Sequence, residues 1–383
     1  METPWRSVSR CSSFIGWQSK WDWPSTTFLR AGGSSITHLF FLGYYGFGNW
    51  GDELSLLATL RAVEKLRRNG GQFVCQVLYR TTNPLFDFPP GVEVVSRECF
   101  PQILKQVKNS QALMVGGGSL LQDTTSFRSL AYYYSLLRFA LFWGKPILFY
   151  GCGLGPFKRS LSRWMVSGVL RRSFLLLRDE ESCTLAYQLG TRPSRVVLGV
   201  DPVFLLQDLL PEKKGSAEKV AVFLRPVDRE KEENLFRSLK ALLAFVPEME
   251  FVAFHHQLDG EFVSRLAKRL GVRSFSFDHL MEVLAYFQNV DMVFSMRFHP
   301  LVLSTMLDIP WVAFDVDPKI RALASLFSGE NLLSFQGLSP EALIAMYTRR
   351  HLLAEKNKVA KALLSTRFGR MEEKLFDFLQ LLG

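Results

Sequence analysis

From residue 37 to residue 201 short apolar runs alternate with longer stretches of helical period. The runs are HLFFLGYY, FVCQVLY, ALMVGG, PILFYGCG, FLLLRD and VVLGVD, and residues 52–68 and 126–143 are two of the helical stretches. Strands that stay apolar throughout, without polar alternation, belong to a parallel sheet covered by helices on both faces. The rhythm breaks at QDLLPEKKGSAEK, residues 207–219, which is polar and Lys-rich and carries Pro211 and Gly215. A second series follows: KVAVFLRP, MEFVAFHH, VRSFSF, DMVFSMRF and WVAFDV. The pattern predicts an α/β protein of two doubly wound, Rossmann-like domains, residues 37–212 and 213–339, with a central cleft and a C-terminal helical tail over 340–383. Residues 1–36 read as a basic, disordered extension without the continuous apolar stretch of a secretory signal. LAYYYSLLRFALFWG, 130–144, is interrupted by Arg138 and falls short of the roughly 20 apolar residues that span a bilayer, so it reads as a buried helix.

In such sheets ligands lie beyond the carboxyl ends of the strands. Those ends are Gly43–Asp52, Gly116–Asp123, Gly151–Pro156, Arg178–Asp179 and Asp201–Pro202 in the first series, and Arg225–Pro226, His255–His256, Arg297–His299 and Asp315–Lys319 in the second. The first contains Gly46, Gly48 and Gly51 in the spacing of a dinucleotide fingerprint. Two features weaken that reading. The next strand ends in VLYRTTN, with Arg80 where a ribose-binding acid is expected. Asn49 and Asp52 also occupy the loop, where a carboxylate competes with a pyrophosphate for the same N–H groups. An arginine suits a 2′-phosphate, so a phosphorylated dinucleotide stays open. Asp52 reads as an N-cap or as a base aimed into the cleft.

The second cluster, VGGGSLLQD, exposes the N–H groups of Gly117, Gly118 and Ser119 as a nest for a phosphate or carboxylate, or makes a tight strand-to-helix turn capped by Ser119. In SMRFHPLV, Arg297 and His299 stand two apart; on an extended segment both point the same way, with Pro300 opening the next helix. A permanently charged fork beside a titratable imidazole suits a reaction that clamps an anion while a proton moves.

Charge supports an anionic ligand: 46 Lys and Arg against 36 acidic residues give a formal +10. The basic residues read as spread along the chain, densest in 207–219 and the C-terminal helices, which argues against nucleic acid. Five scattered cysteines indicate a reducing compartment, and no ligand spacing suggests a metal.

Taken together, GYYGFGNWGDE, VGGGSLLQD, FYGCGLGPF, RDEES, GVDPVF, FLRP and MRFHPLVLSTMLDIPWVAFDVDPK resemble the bacterial polysaccharide pyruvyl transferase family from about Thr37 to about Leu326. The resemblance implies a GT-B-like fold and transfer of the enolpyruvyl moiety of phosphoenolpyruvate to a sugar of a cell-surface glycan, closing a cyclic ketal and releasing phosphate. No cofactor is expected beyond this donor substrate. Carried onto this sequence, the resemblance makes His299, Asp52 and Arg178 the catalytic candidates. Arg297 and Arg225, together with Gly117, Gly118, Ser119, Asn49 and His256 from the reading of the strand ends, are the substrate-binding candidates. Phe298 and Pro300 depart from the family's commoner residues beside the histidine. A cytoplasmic enzyme is expected, at the inner face of the cytoplasmic membrane if its glycan acceptor is lipid-linked, with peripheral membrane contact left open and the oligomeric state unassigned. A nucleotide-sugar glycosyltransferase and a noncatalytic binder of anions or membrane surfaces are the alternative readings.

Overall fold

The computed structural model describes residues 36–68, 72–81, 84–124, 126–212, 219–246 and 248–382. The expected extension, apart from Ile36, and residues 213–218 of the break lie outside the described residues.

The first half runs β1 (Thr37–Tyr45), α1 (Trp50–Arg68), β2 (Phe73–Tyr79), β3 (Val92–Ser96), α2 (Phe100–Asn109), β4 (Ala112–Gly116), α3 (Phe127–Phe142), β5 (Ile147–Cys152), α4 (Ser160–Leu170), β6 (Phe174–Leu177), α5 (Glu180–Gln188) and β7 (Val196–Leu198). The second runs β8 (Lys219–Phe223), α6 (Arg229–Leu242), β9 (Glu248–Ala253), α7 (His256–Leu270), β10 (Arg273–Ser276), α8 (Leu280–Tyr286), β11 (Met292–Ser295), α9 (Phe298–Met306), β12 (Trp311–Phe314), α10 (Pro318–Ser325) and β13 (Leu332–Leu333), followed by α11 (Pro340–Thr348) and α12 (Arg350–Gln380). Both sheets are parallel, in the orders β3-β2-β1-β4-β5-β6-β7 and β10-β9-β8-β11-β12-β13. In each, the strand order reverses beside the first strand. The crevices there lie between the ends of β1 and β4 and between those of β8 and β11, where this class of sheet binds its ligands.

The apolar runs form strands because their side chains are buried on both sheet faces. Phe40 and Leu42 face an outer layer of α2, α3, α4 and α5, whereas Leu39 and Phe41 face inward. The inner layer continues from α1 through Val252, Leu301 and Trp311 to Phe378, so both halves share one apolar layer. A 3-10 segment, Pro202–Leu209, packs between α1 and α9, and α12 returns from β12 to β7. Three expectations need correction. The 130–144 helix buries Leu130, Leu136 and Leu137 but leaves Phe142 and Trp143 exposed at its end, so it is a one-sided surface helix. Ser119 caps nothing: the next helix starts at Phe127 and is capped by Ser126, whose hydroxyl accepts from the Ser129 N–H. Arg297 and His299 are not on a strand. β11 stops at Ser295, whose hydroxyl accepts from the Arg297 N–H and donates to its carbonyl, turning the chain so that Arg297 becomes the N-cap of α9 and His299 its second residue.

Candidate active site

The loop after β1 is built to come close to the other half. Gly46 and Gly48 hold φ of +81° and +73°, a left-handed backbone that favours glycine. Backbone bonds then tie this loop to the second half: the Trp50 N–H donates to Phe254 O (3.2 Å) and the His256 N–H to Gly48 O (3.1 Å). At Gly51 a Cβ would lie 1.9 Å from His299 Nδ1, so only a glycine admits the imidazole against α1.

His299 is the bridge. Its Nε2 stands 3.4 Å from Ser55 Oγ on α1 and 3.5 Å from Asp201 Oδ2, which follows β7. Asp201 is buried and also accepts from Arg178 Nη1 (3.2 Å) and from the Val203 N–H (3.1 Å). Burial alone would raise its pKa, but His299, Arg178 and the Val203 N–H hold it below the ordinary carboxylate range. Arg178 is itself buried, paired with Asp179 (3.5 Å) and Asp201, its Nη2 3.4 Å from Ser119 Oγ and its guanidinium 4.6 Å from the Phe298 ring centroid.

Asp52 lies in the first turn of α1, three residues after Asn49, which donates to its Oδ2 at 2.5 Å. It is therefore no N-cap. The carboxylate abuts the glycine nest: a Cβ at Gly118, where φ is +57°, would sit 2.9 Å from Asp52 Oδ1. Burial lifts Asp52 above the usual carboxylate range, opposed by His299, Lys319, the Asn49 bond and Arg178. Its neighbour Glu53 accepts from the Gly46 N–H and from Tyr79 Oη, both at 2.7 Å, and so braces the loop. Burial pushes Glu53 up to about 8.

Of the expected residues, Asp52, Asn49, Gly117, Gly118, Ser119, Arg178 and His299 meet in one cluster. Three stand apart from it. Arg297 spends Nε and Nη2 on the buried carboxylate of Asp259. Arg225 is 41% exposed and has Asp317 Oδ2 at 4.0 Å. His256 is exposed, with Nδ1 2.9 Å from Ser276 Oγ. Its neighbour His255 is buried, and burial and then Arg297 push it down to about 4. Sequence reasoning missed Asp201, Ser55 and Lys319 as site residues. Asp201 and Lys319 stand at strand ends, and Ser55 is three residues after Asp52 on one helix face. A cavity of about 290 Å³ opens beside the cluster, lined by four cations, among them Arg178 and Lys319, and by four carboxylates, among them Asp201 and Glu181. Burial lowers the pKa of Lys319, against the pull of Asp317. Among the described residues no group of His, Cys, Asp and Glu is placed to hold a metal ion, and no helix is long and apolar enough to cross a membrane.

Two parallel Rossmann-like sheets joined through a shared apolar layer, with strand ends converging on one cluster and a last helix returning to the first half, define a GT-B-like protein. Solved structures agree on the fold. A Listeria monocytogenes protein assigned as a UDP-N-acetylglucosamine 2-epimerase superposes with a TM-score of 0.60 at 12% identity, over 86% of this chain and 91% of that one. UDP-GlcNAc 2-epimerase from Neisseria meningitidis, bound to UDP-GlcNAc, gives 0.55 at 10% identity over 91% and 100%. UGT2 of Phytolacca americana, complexed with UDP-2-fluoro-glucose and pterostilbene, gives 0.52 at 12% over 90% and 99%. No curated protein matches the sequence. The sequence profile of the polysaccharide pyruvyl transferase family matches residues 49–318, from the glycine-loop asparagine to the start of α10, and the chain belongs to that family.

Proposed function

We propose that this chain transfers the pyruvyl group of phosphoenolpyruvate to a sugar of a glycan, forming a cyclic ketal and releasing phosphate. One observation carries the reading: a buried guanidinium, Arg178, stands beside the Ser119 hydroxyl, while His299 and Asp52 meet it from opposite halves. The adjoining cavity, about 290 Å³, lies just below the roughly 300–1,000 Å³ range of ligand pockets and suits a three-carbon donor better than a nucleotide sugar.

The chemistry asks for a proton on the methylene carbon of the donor, which leaves its C2 with positive character. A sugar hydroxyl bonds to C2 and loses its proton, the C2–O bond to phosphate breaks, and a second hydroxyl closes the ketal and gives up its own proton. Arg178 and Lys319 hold the donor's carboxylate and phosphate, aided by the N–H groups of Gly117 and Gly118. His299, oriented by Asp201, is the proton carrier. Asp52, whose burial brings it nearer neutrality than an ordinary aspartate, takes the hydroxyl proton. Arg297 acts through position, since Asp259 fixes its fork at the start of α9 and so sets where His299 lies.

The test is a ligand-induced melting shift with phosphoenolpyruvate beside UDP-sugars and NADPH, followed by phosphate release with candidate glycans. At about 100 times its Kd a ligand stabilises by roughly 2.7 kcal/mol. A shift with phosphoenolpyruvate alone, reduced in Arg178→Lys, supports the reading; a shift with a UDP-sugar or NADPH alone overturns it.

A further inference from the structure

The outer surface made by α2, α3 and α4 differs from the rest of the molecule. Residues 99–178 hold eleven Lys or Arg and one acid, Asp123, so this stretch carries a formal +10, the value for the whole chain. The basic residues are about as dense here as along the whole chain; the acids are what is scarce, so it is the net charge that is concentrated. Asp123 is no counterweight at the surface: it is buried and accepts from the N–H groups of Lys158 (2.6 Å) and Arg159 (3.0 Å) and from the Ser162 hydroxyl (2.7 Å). Of the eleven cations, Arg178 belongs to the site. Among the described residues none of the other ten forms a carboxylate ion pair, whereas on the second half Arg265 and Arg269 pair with Glu232 and Glu233, and Arg273 with Glu248 and Glu250.

Large apolar side chains stand among these cations. Phe142 is 80% exposed, Trp164 71% and Leu161 55%, with Phe100 and Trp143 at 42%. Lys108 Nζ sits 4.1 Å from the Trp143 ring centroid. The two tryptophans lie on neighbouring helices, Trp143 at the end of α3 and Trp164 within α4.

We infer that this face docks on an anionic lipid bilayer. Indole and phenyl rings with one apolar and one wet side settle at headgroup depth, and each Lys or Arg near an anionic leaflet strengthens binding by about fivefold. A second copy of the face is disfavoured because its like charge would meet this one. Phe142 and Leu161 gain by entering the acyl boundary and offer nothing to a phosphodiester backbone. The inference stands apart from the donor chemistry, since it rests on the surface alone.

The experiment is co-sedimentation of the full chain with vesicles of phosphatidylcholine and with vesicles of equimolar phosphatidylcholine and phosphatidylglycerol, at low and high salt. The expected result is binding to the anionic vesicles that falls with salt. It should weaken about 30-fold in Arg163→Gln/Arg171→Gln and about tenfold in Trp143→Ser/Trp164→Ser, with the melting temperature and any phosphoenolpyruvate-induced shift unchanged. Equal binding to neutral vesicles, no vesicle binding at low salt, or variants that bind as tightly as the parent would each overturn it. So would a dimer dispersed by the tryptophan substitutions, or retention of duplex nucleic acid in place of vesicles.

Discussion

The two sets of strand ends that meet at the site are made of different material. The first sheet presents backbone, acid and one buried cation: Gly46, Gly48, Gly117, Gly118, Gly151 and Gly155, all at positive φ, with Asp52, Glu53, Asp201 and Arg178 buried behind them. The second presents basic side chains at helix starts, Arg297 at the N-cap of α9, His299 within it and Lys319 on α10, and among the described residues its positive-φ glycines, Gly271 and Gly329, lie before β10 and β13 instead. One half is shaped so that another molecule's atoms can come close to its buried Arg178; the other adds an imidazole and further cations. The difference teaches that substituting a glycine or an acid of the first half should act through space and protonation, and substituting an arginine or lysine of the second through charge.

The largest expected effect is on the bridge. His299→Gln should lower kcat by about 10²–10⁴ while the melting temperature holds, read by phosphate release with a glycan acceptor. A variant with full turnover would remove the second half's claim to the chemistry. Gly51→Ala comes next: its methyl group would occupy the place of Nδ1, and a displacement of that size should cost about 100-fold in kcat with little change in KM for phosphoenolpyruvate.

A thermodynamic test sharpens the contrast further. Glu53 holds its proton more tightly folded than unfolded, so its contribution to stability is complete below the ordinary carboxylate range and is lost as pH rises toward about 8. Between about pH 6 and pH 8 the parent should lose roughly 2 kcal/mol that Glu53→Gln retains, measured by urea unfolding at each pH. Asp52 has a raised pKa as well, so turnover should climb through an acid limb lying above the ordinary aspartate range that Asp52→Asn abolishes, along with most of the rate. The smallest effect belongs to Arg225→Ala. With an exposed side chain and a carboxylate only at 4.0 Å, it should change stability by under about 0.5 kcal/mol. A loss in kcat/KM as large as that of His299→Gln would show that the cation set extends to β8.

Much of this was legible in the sequence because buried parallel strands leave unbroken apolar runs. FVCQVLY forms β2, and the helix expected over 126–143 appears as α3 between its caps Ser126 and Trp143. VEVVS, a half-buried strand with Glu93 at its second position, and the two-residue β13 carry no such run and are not legible. The strand-end rule led to Asp52, Gly117, Gly118, Arg178 and His299. It could not tell that Arg297 turns to Asp259, because that bond joins residues 38 apart in sequence and depends on Ser295 turning the chain. Asp201 was seen as a strand end and overlooked as the partner of His299 for the same reason, since the contact is made by two sheets meeting.

The last helix carries a consequence for synthesis. Phe378 on α12 packs on Phe174 of β6, ring centroids 5.8 Å apart, and Met371 lies so close to Gly199 that a Cβ there would be 2.5 Å from its sulfur. The first half thus leaves an apolar surface beside β6 and β7 uncovered while the ribosome is still adding the second. Only when α12 emerges is that surface covered. The first half is therefore finished only after the second has been made, and until α12 follows, its edge is a place where chaperones would be expected to hold it.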